Sequence, residues 1–490
     1  MRSVLIVLVT VLLSPALGAA ALIPADDENI LYTGRWDHSN HLEPWAYAKG
    51  TSVIAIFSGT SLSASISATT TDYLRIIIDG DAENSQKIPI AFGTASYPLA
   101  NNLSAGSHKV EIVKETDAGR WTFLGFELDD EAGLESPPDR PAQRLVFYGD
   151  SNLAGYSLEH EQNQADRSLR GTYYGYAGIT SRMFGAEYSN ISRSGATIRS
   201  LHASFDRIDW NSRGTTWDFS KFQPDAVIIN IGANDVGRPV AKMKKDSHAL
   251  LDDMRIAYPD AHIVLYNAWG WDYDEPANFI HEVIEERGDD NMSWAVFPWL
   301  FEQWHGCEYD HSGMAHVLAE HLKLPSVLGW APVTADVMNG YGVDGDVANG
   351  GFEEVAPFGG YGWRYYTDAG VERRSDTTAH GGDYYLRLSS GAAAHQPNPA
   401  LPGETFTVTA WVRPETAGDA IEVTIDFRDQ EMWTAPLQSD TKVVTPGDTN
   451  NWTFIETTAT APSDTANPVF HTRLTFQAGS GSTVDIDDVI

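Results

Sequence analysis

From Ile30 to about Leu128 the chain runs in short apolar stretches, Ser52 to Phe57, Tyr73 to Asp79, Lys109 to Lys114 and Phe123 to Leu128, broken by Gly, Asp and Asn. Such β-branched and aromatic runs between turn residues predict strands, and an all-β sandwich over residues 22–137. Ser136-Pro137-Pro138-Asp139-Arg140-Pro141 then fixes several φ angles and removes N–H donors, so a linker is expected there. Beyond it the texture changes. Continuous apolar runs at Arg144 to Tyr148, Ala226 to Ile231 and His262 to Tyr266 alternate with helical stretches such as Tyr173 to Phe184 and Gly313 to Leu322. That alternation predicts an α/β domain over residues 143–335 with a parallel sheet covered on both faces. After a Gly-rich stretch, runs at Tyr384 to Leu388, Thr405 to Val412, Ile421 to Phe427, Trp452 to Thr457 and Val469 to Phe476 predict a second all-β sandwich over residues 345–490.

The amino terminus changes this picture only in its address. Arg2, the apolar run Val4 to Leu13, Pro15 and the small residues Gly18 to Ala21 form the pattern of a signal peptide over residues 1–21, so a secreted protein is expected. Lys and Arg number 33 against 67 Asp and Glu, a formal charge of −34. That excess, spread along the chain, disfavours nucleic acid and anionic membrane as partners. The single Cys307 has no partner for an internal disulfide.

In an open parallel sheet, reactive groups collect in the loops at the carboxyl ends of the strands. Gly149-Asp150-Ser151-Asn152 follows the first apolar run, where a Ser hydroxyl can meet a substrate and its N–H a developing oxyanion. Gly232-Ala233-Asn234-Asp235 follows the second and offers an amide donor. Glu308-Tyr309-Asp310-His311 is read as a loop before a helix, supplying an imidazole base and a carboxylate to orient it. Each block alone is also an ordinary turn or a solvated surface segment; Ser, Asn and His in this order at successive loops of one domain favour chemistry.

These blocks resemble those of the SGNH (GDSL-type) hydrolase superfamily. Ile30 to Arg35, Phe57 to Leu62, Ile78-Asp79-Gly80, His108-Lys109-Val110 and Phe123 to Phe126 resemble the jelly roll that precedes the catalytic domain in family 2 carbohydrate esterases. The resemblance implies a jelly roll followed by a flavodoxin-like α/β domain. It assigns Ser151 as nucleophile, His311 as base, and the Ser151 N–H, Gly195 N–H and Asn234 amide as oxyanion hole. Asn152 stands where an apolar residue is usual and Ser312 where Pro commonly follows the His. Glu308, Asp310 or a backbone carbonyl could orient the imidazole, and Glu308 is favoured. Catalysis of this kind needs no cofactor. Trp269, Trp271 and Trp304 are expected near the site as surfaces for sugar rings, each with packing as the alternative.

Asn349 to Glu353, Ala379 to Leu386, Pro402 to Val408 and Ile486 to Val489 resemble the β-sandwich carbohydrate-binding modules of the family 4 and 9 type. That resemblance makes Trp363, Trp411 and Trp433 candidate sugar platforms, and Glu353 with Asp487 candidate ligands of a structural Ca²⁺. The expected activity is removal of O-acetyl groups from a xylan- or glucomannan-like polysaccharide or oligosaccharide. A lipid or aryl esterase of the same superfamily and a non-catalytic carbohydrate-binding protein are the alternatives.

Overall fold

The computed structural model describes residues 21–490 apart from 83, 129–132, 161–162, 212–214, 236, 268–277, 298–304, 334–346, 348, 354–362, 366–368, 430–434, 465–468 and 470. The leader pattern before residue 21 therefore lies outside the described residues, as do Trp269, Trp271, Trp304 and Trp433.

The first domain is a sandwich of two antiparallel sheets. One orders the strands Trp36–Asp37, Trp45–Ala46, Trp121–Leu128, Leu62–Ala68 and Gly93–Ala100, with Ala21–Pro24 added to Trp121–Leu128; the other orders Leu134–Glu135, Ser52–Ser58, Ser107–Lys114, Asp72–Ile78 and Gln86–Ile90, with Leu31–Thr33 on Ser52–Ser58. Alternation explains the layering: Leu62, Ala64, Ile66 and Ala68 point inward against Val53, Ala55, Phe57, Phe123 and Phe126. Gly125 sits at a register shift with φ +135°, and a Cβ there would lie 2.2 Å from the Ile23 carbonyl oxygen, so only glycine lets the terminal strand close on its neighbour.

Among its described residues the middle domain holds five parallel strands, β1 (Arg144–Gly149), β2 (Glu187–Ser192), β3 (Ala226–Asn230), β4 (His262–Asn267) and β5 (Met292–Val296), in the order 2-1-3-4-5. This is the flavodoxin-like order expected, whose switch point opens a crevice between β1 and β3 at their carboxyl ends. Successive residues serve opposite faces. Leu145 and Phe147 pack with α1 (Tyr176–Met183) and α5 (Glu308–Leu322), whereas Val146 and Tyr148 pack with α2 (Ile198–His202), α3 (Val240–Ala257) and α4 (Asn278–Arg287). Each such side chain contributes about 1.5–3 kcal/mol on burial.

Buried polar contacts join the two domains. Arg35 of the sandwich enters the α/β domain to donate to the Phe205 and Arg207 carbonyls at 2.6 and 2.8 Å and to the Tyr148 and Tyr258 hydroxyls. The carboxyl-terminal region is again two antiparallel five-stranded sheets, Arg364–Tyr365, Ala393–Pro399, His471–Ala478, Ile421–Arg428 and Gln438–Val444 facing Val371–Ser375, Tyr384–Ser389, Thr483–Asp487, Thr405–Pro414 and Thr453–Thr460. Among the described residues no helix is long and apolar enough to cross a membrane.

Candidate active site

β1 ends at Gly149, and the chain turns at once: Asn152 N donates to an Asp150 carboxylate oxygen at 3.0 Å, Ala154 N to the Asp150 carbonyl and Tyr156 N to the Ser151 carbonyl, both at 3.0 Å. The turn leaves Ser151 at the head of the crevice. Asp150 is buried beneath it. Burial, with the Asp235 carboxylate nearby, raises its pKa to about 7, and its hydrogen bond orders the loop.

The loops after β2 and β3 are tied to one another. The Asn234 side-chain amide donates to the Ala196 carbonyl at 2.9 Å, Asp235 accepts from Ile198 N at 2.9 Å, and Arg193 N donates to the Gly149 carbonyl at 3.3 Å. Gly195 lies exposed in this turn at φ +80°, with open space where a Cβ would stand. The three expected oxyanion-hole residues thus sit on three adjoining strand-end loops, and Asn234 keeps a second amide hydrogen for a ligand.

The imidazole that meets Ser151 is that of His305, and this corrects the expectation for His311. His305 Nε2 lies 2.8 Å from Ser151 Oγ, and its Nδ1 lies 2.9 Å from Asn163 Oδ1. An amide oxygen only accepts, so Nδ1 carries the proton and Nε2 is left to accept from the serine. The ring also lies against Tyr156, centroids 4.4 Å apart and tilted by 34°. Burial, and then the Arg170 guanidinium, lower the His305 pKa to about 4, which keeps it a neutral acceptor at ordinary pH.

His311 is a core residue. It is 1% exposed, accepts from Tyr176 N at Nδ1 (3.2 Å), and stacks on the Tyr176 ring at 5.7 Å. Burial, followed by the charge of His305, depresses its pKa to about 3. The block read as a loop is the first turn of α5, which starts at Glu308. Asp310 accepts from Cys307 N at 3.0 Å, the reciprocal half of a capping box, and so serves the helix end. Glu308, the expected orienting acid, is the first residue of α5, and the His305 partner is Asn163 instead. A sequence signal existed: His311, Met314, Ala315, Leu318 and Leu322 share one helical face, and all are buried. Nothing local marks Asn163.

In the last domain Trp363 is 1% exposed, between Phe352 and Phe476, with its indole N–H on the Asn349 carbonyl; it is packed as core and offers no face to a sugar. Trp411 points the other way, since Val408, Ala410 and Val412 take the inward positions of its strand. Its ring stacks on His380 at 4.0 Å and meets Phe454 across the sheet. Glu353 accepts from Asp383 N and Tyr384 N, and Asp487 from His380 N, Gly381 N and Asp488 N. Among the described residues no three His, Cys, Asp or Glu side chains group as metal ligands. Both carboxylates accept backbone N–H groups and so fasten loops.

A serine, an imidazole against it and an asparagine amide stand at the carboxyl edge of a 2-1-3-4-5 parallel sheet, the fold that the resemblance to SGNH (GDSL-type) hydrolases implies. Residues 147–295 match the GDSL-like lipase/acylhydrolase family, and residues 32–138 match the family described as carbohydrate esterase 2 N-terminal. The two matches follow one another along the chain, in the order that the resemblance to family 2 carbohydrate esterases implies. It is 30% identical over 333 residues to the cellulase/esterase CelE of Acetivibrio thermocellus, covering 62% of this chain and 40% of that protein. It is 23% identical over 337 residues to an acetylxylan esterase/glucomannan deacetylase of Cellvibrio japonicus, covering 63% and 91%. The solved structure of a family two carbohydrate esterase from Clostridium thermocellum in complex with cellohexaose superposes with a TM-score of 0.56 at 27% identity, covering 60% of this chain and 98% of that one.

Proposed function

We propose that this chain is a secreted carbohydrate esterase that removes O-acetyl groups from a xylan- or glucomannan-like polysaccharide. The observation that carries the reading is the 2.8 Å approach of His305 Nε2 to Ser151 Oγ. Ser151 Oγ attacks the acetyl carbonyl as its proton passes to His305 Nε2. The oxyanion is received by the Ser151 N–H, the Gly195 N–H and the Asn234 amide, dipoles already fixed by the loop contacts above. His305 then protonates the departing sugar oxygen, and water, deprotonated by the same imidazole, releases acetate and frees the serine. The chemistry falls entirely to these side chains and backbone donors.

The relative described as an acetylxylan esterase/glucomannan deacetylase, and the family two carbohydrate esterase solved with cellohexaose, support a carbohydrate substrate. The leader pattern supports export. For the last domain, the outward Trp411 with Phe454 beside it supports contact with a polymer chain, which would raise the local concentration of its esters. The reading is tested with Ser151→Ala on an aryl acetate and on acetylated xylan. Turnover is expected to vanish on both while the circular dichroism spectrum is unchanged; retained turnover overturns it.

A further inference from the structure

Asp117 belongs to the amino-terminal sandwich, in the loop after Ser107–Lys114, yet its carboxylate reaches into the esterase domain from both sides of the site. One oxygen, Oδ2, accepts from Ser194 N at 3.3 Å, the residue directly before Gly195. The other, Oδ1, accepts from Arg170 Nη1 at 3.4 Å. Arg170 lies over the Tyr156 ring at 4.1 Å, and Tyr156 lies against His305. A second residue of the sandwich completes the arrangement: Lys49, buried, holds the Ser192 carbonyl and hydroxyl at 3.3 and 3.2 Å and stands 3.6 Å from Asp117 Oδ2. The cations and the Ser194 N–H keep the Asp117 carboxyl well below the usual carboxylate range despite its burial.

We propose that Asp117 is a positioning residue for the ester chemistry, through which the first domain sets the oxyanion loop and the general base in register. The proposal rests on the acyl-transfer reading above. A single carboxylate spans two mechanical paths, Asp117 to Ser194 to the Gly195 N–H, and Asp117 to Arg170 to Tyr156 to His305. Both end on groups whose placement must hold to a fraction of an ångström for the transition state to be stabilised. The carboxylate also offsets two cations, Lys49 and Arg170, that would otherwise lie uncompensated in the domain junction. The jelly roll is thus part of the catalytic frame.

The test separates positioning from simple stability. Asp117→Ala is expected to lower kcat on a soluble aryl acetate by about 10- to 100-fold with KM changed less than about twofold. Asp117→Asn, which keeps an acceptor for Ser194 N–H but not the charge, is expected to recover part of that loss, and it carries the test should the alanine variant not fold. Arg120→Ala breaks another contact between the same two domains, Arg120 Nε to Asp209 at 2.6 Å three residues further on, and is expected to leave kcat in place. Unchanged kcat in both Asp117 variants, a loss confined to KM, or a fall no greater than that of Arg120→Ala overturns the proposal. Ser151→Ala, run beside them, shows independently whether the acyl-transfer reading stands.

Discussion

His305 and His311 are separated by one helix start and share a depressed pKa, yet they occupy opposite kinds of place. His305 is half-buried in the approach to α5, with one nitrogen on Ser151 and the other on Asn163. His311, one turn inside the helix, is sealed against Tyr176 and the hydrophobic layer beneath the sheet. The pKa values, about 4 and about 3, do not tell them apart. His305 stands 2.8 Å from the Ser151 hydroxyl with an edge left accessible, whereas His311 is 1% exposed: perturbed titration marks burial as readily as function, and geometry must decide.

The comparison can be broken most sharply by exchanging losses. His305→Ala is expected to cut kcat on an aryl acetate by about 10⁴-fold with the fold retained. A larger loss of kcat in folded His311→Ala protein would reverse the assignment. The pH profile sharpens it next. A protonated His305 cannot accept from Ser151, so kcat/KM is expected to be level at neutral pH and to fall roughly tenfold per unit once the pH drops below about 4. The smallest effect falls on stability. His311→Ala leaves the Tyr176 N–H without its acceptor and is expected to cost about 1–3 kcal/mol at neutral pH, read from urea unfolding. Because the folded pKa of His311 lies below its ordinary value of 6.5, the unfolded chain takes up the proton first. The contribution of the neutral ring to stability is therefore complete above pH 6.5 and is lost as the pH falls towards 3, a slope the variant should flatten.

The parts of this site that were legible are those written locally. Gly149-Asp150-Ser151 and Gly232-Ala233-Asn234 follow apolar runs that could be little else than central parallel strands, so their place in the crevice followed from topology. For Trp411 the run Thr405 to Val412 allowed either face, and it is the burial of Val408, Ala410 and Val412 in the folded sheet that leaves the ring outward. The start of α5 was harder, because Cys is not a usual N-cap residue, and without that boundary His311 read as a loop. Asn163, Lys49 and Asp117 had no local signature at all. Their partners lie far along the chain, at His305, Ser192 and Ser194, and only the closed fold brings them into contact.

The choice of an amide in the loop before α1 has a bearing on the medium in which this protein works. Attraction between an imidazolium and a distant or exposed anion weakens as dissolved ions gather, over a Debye length of about 8 Å at physiological ionic strength. Asn163 presents a neutral dipole at contact distance, with no net charge for counterions to cloak. That contact to His305 should therefore hold from dilute buffer to brine, even as the chain's excess of negative charge is screened.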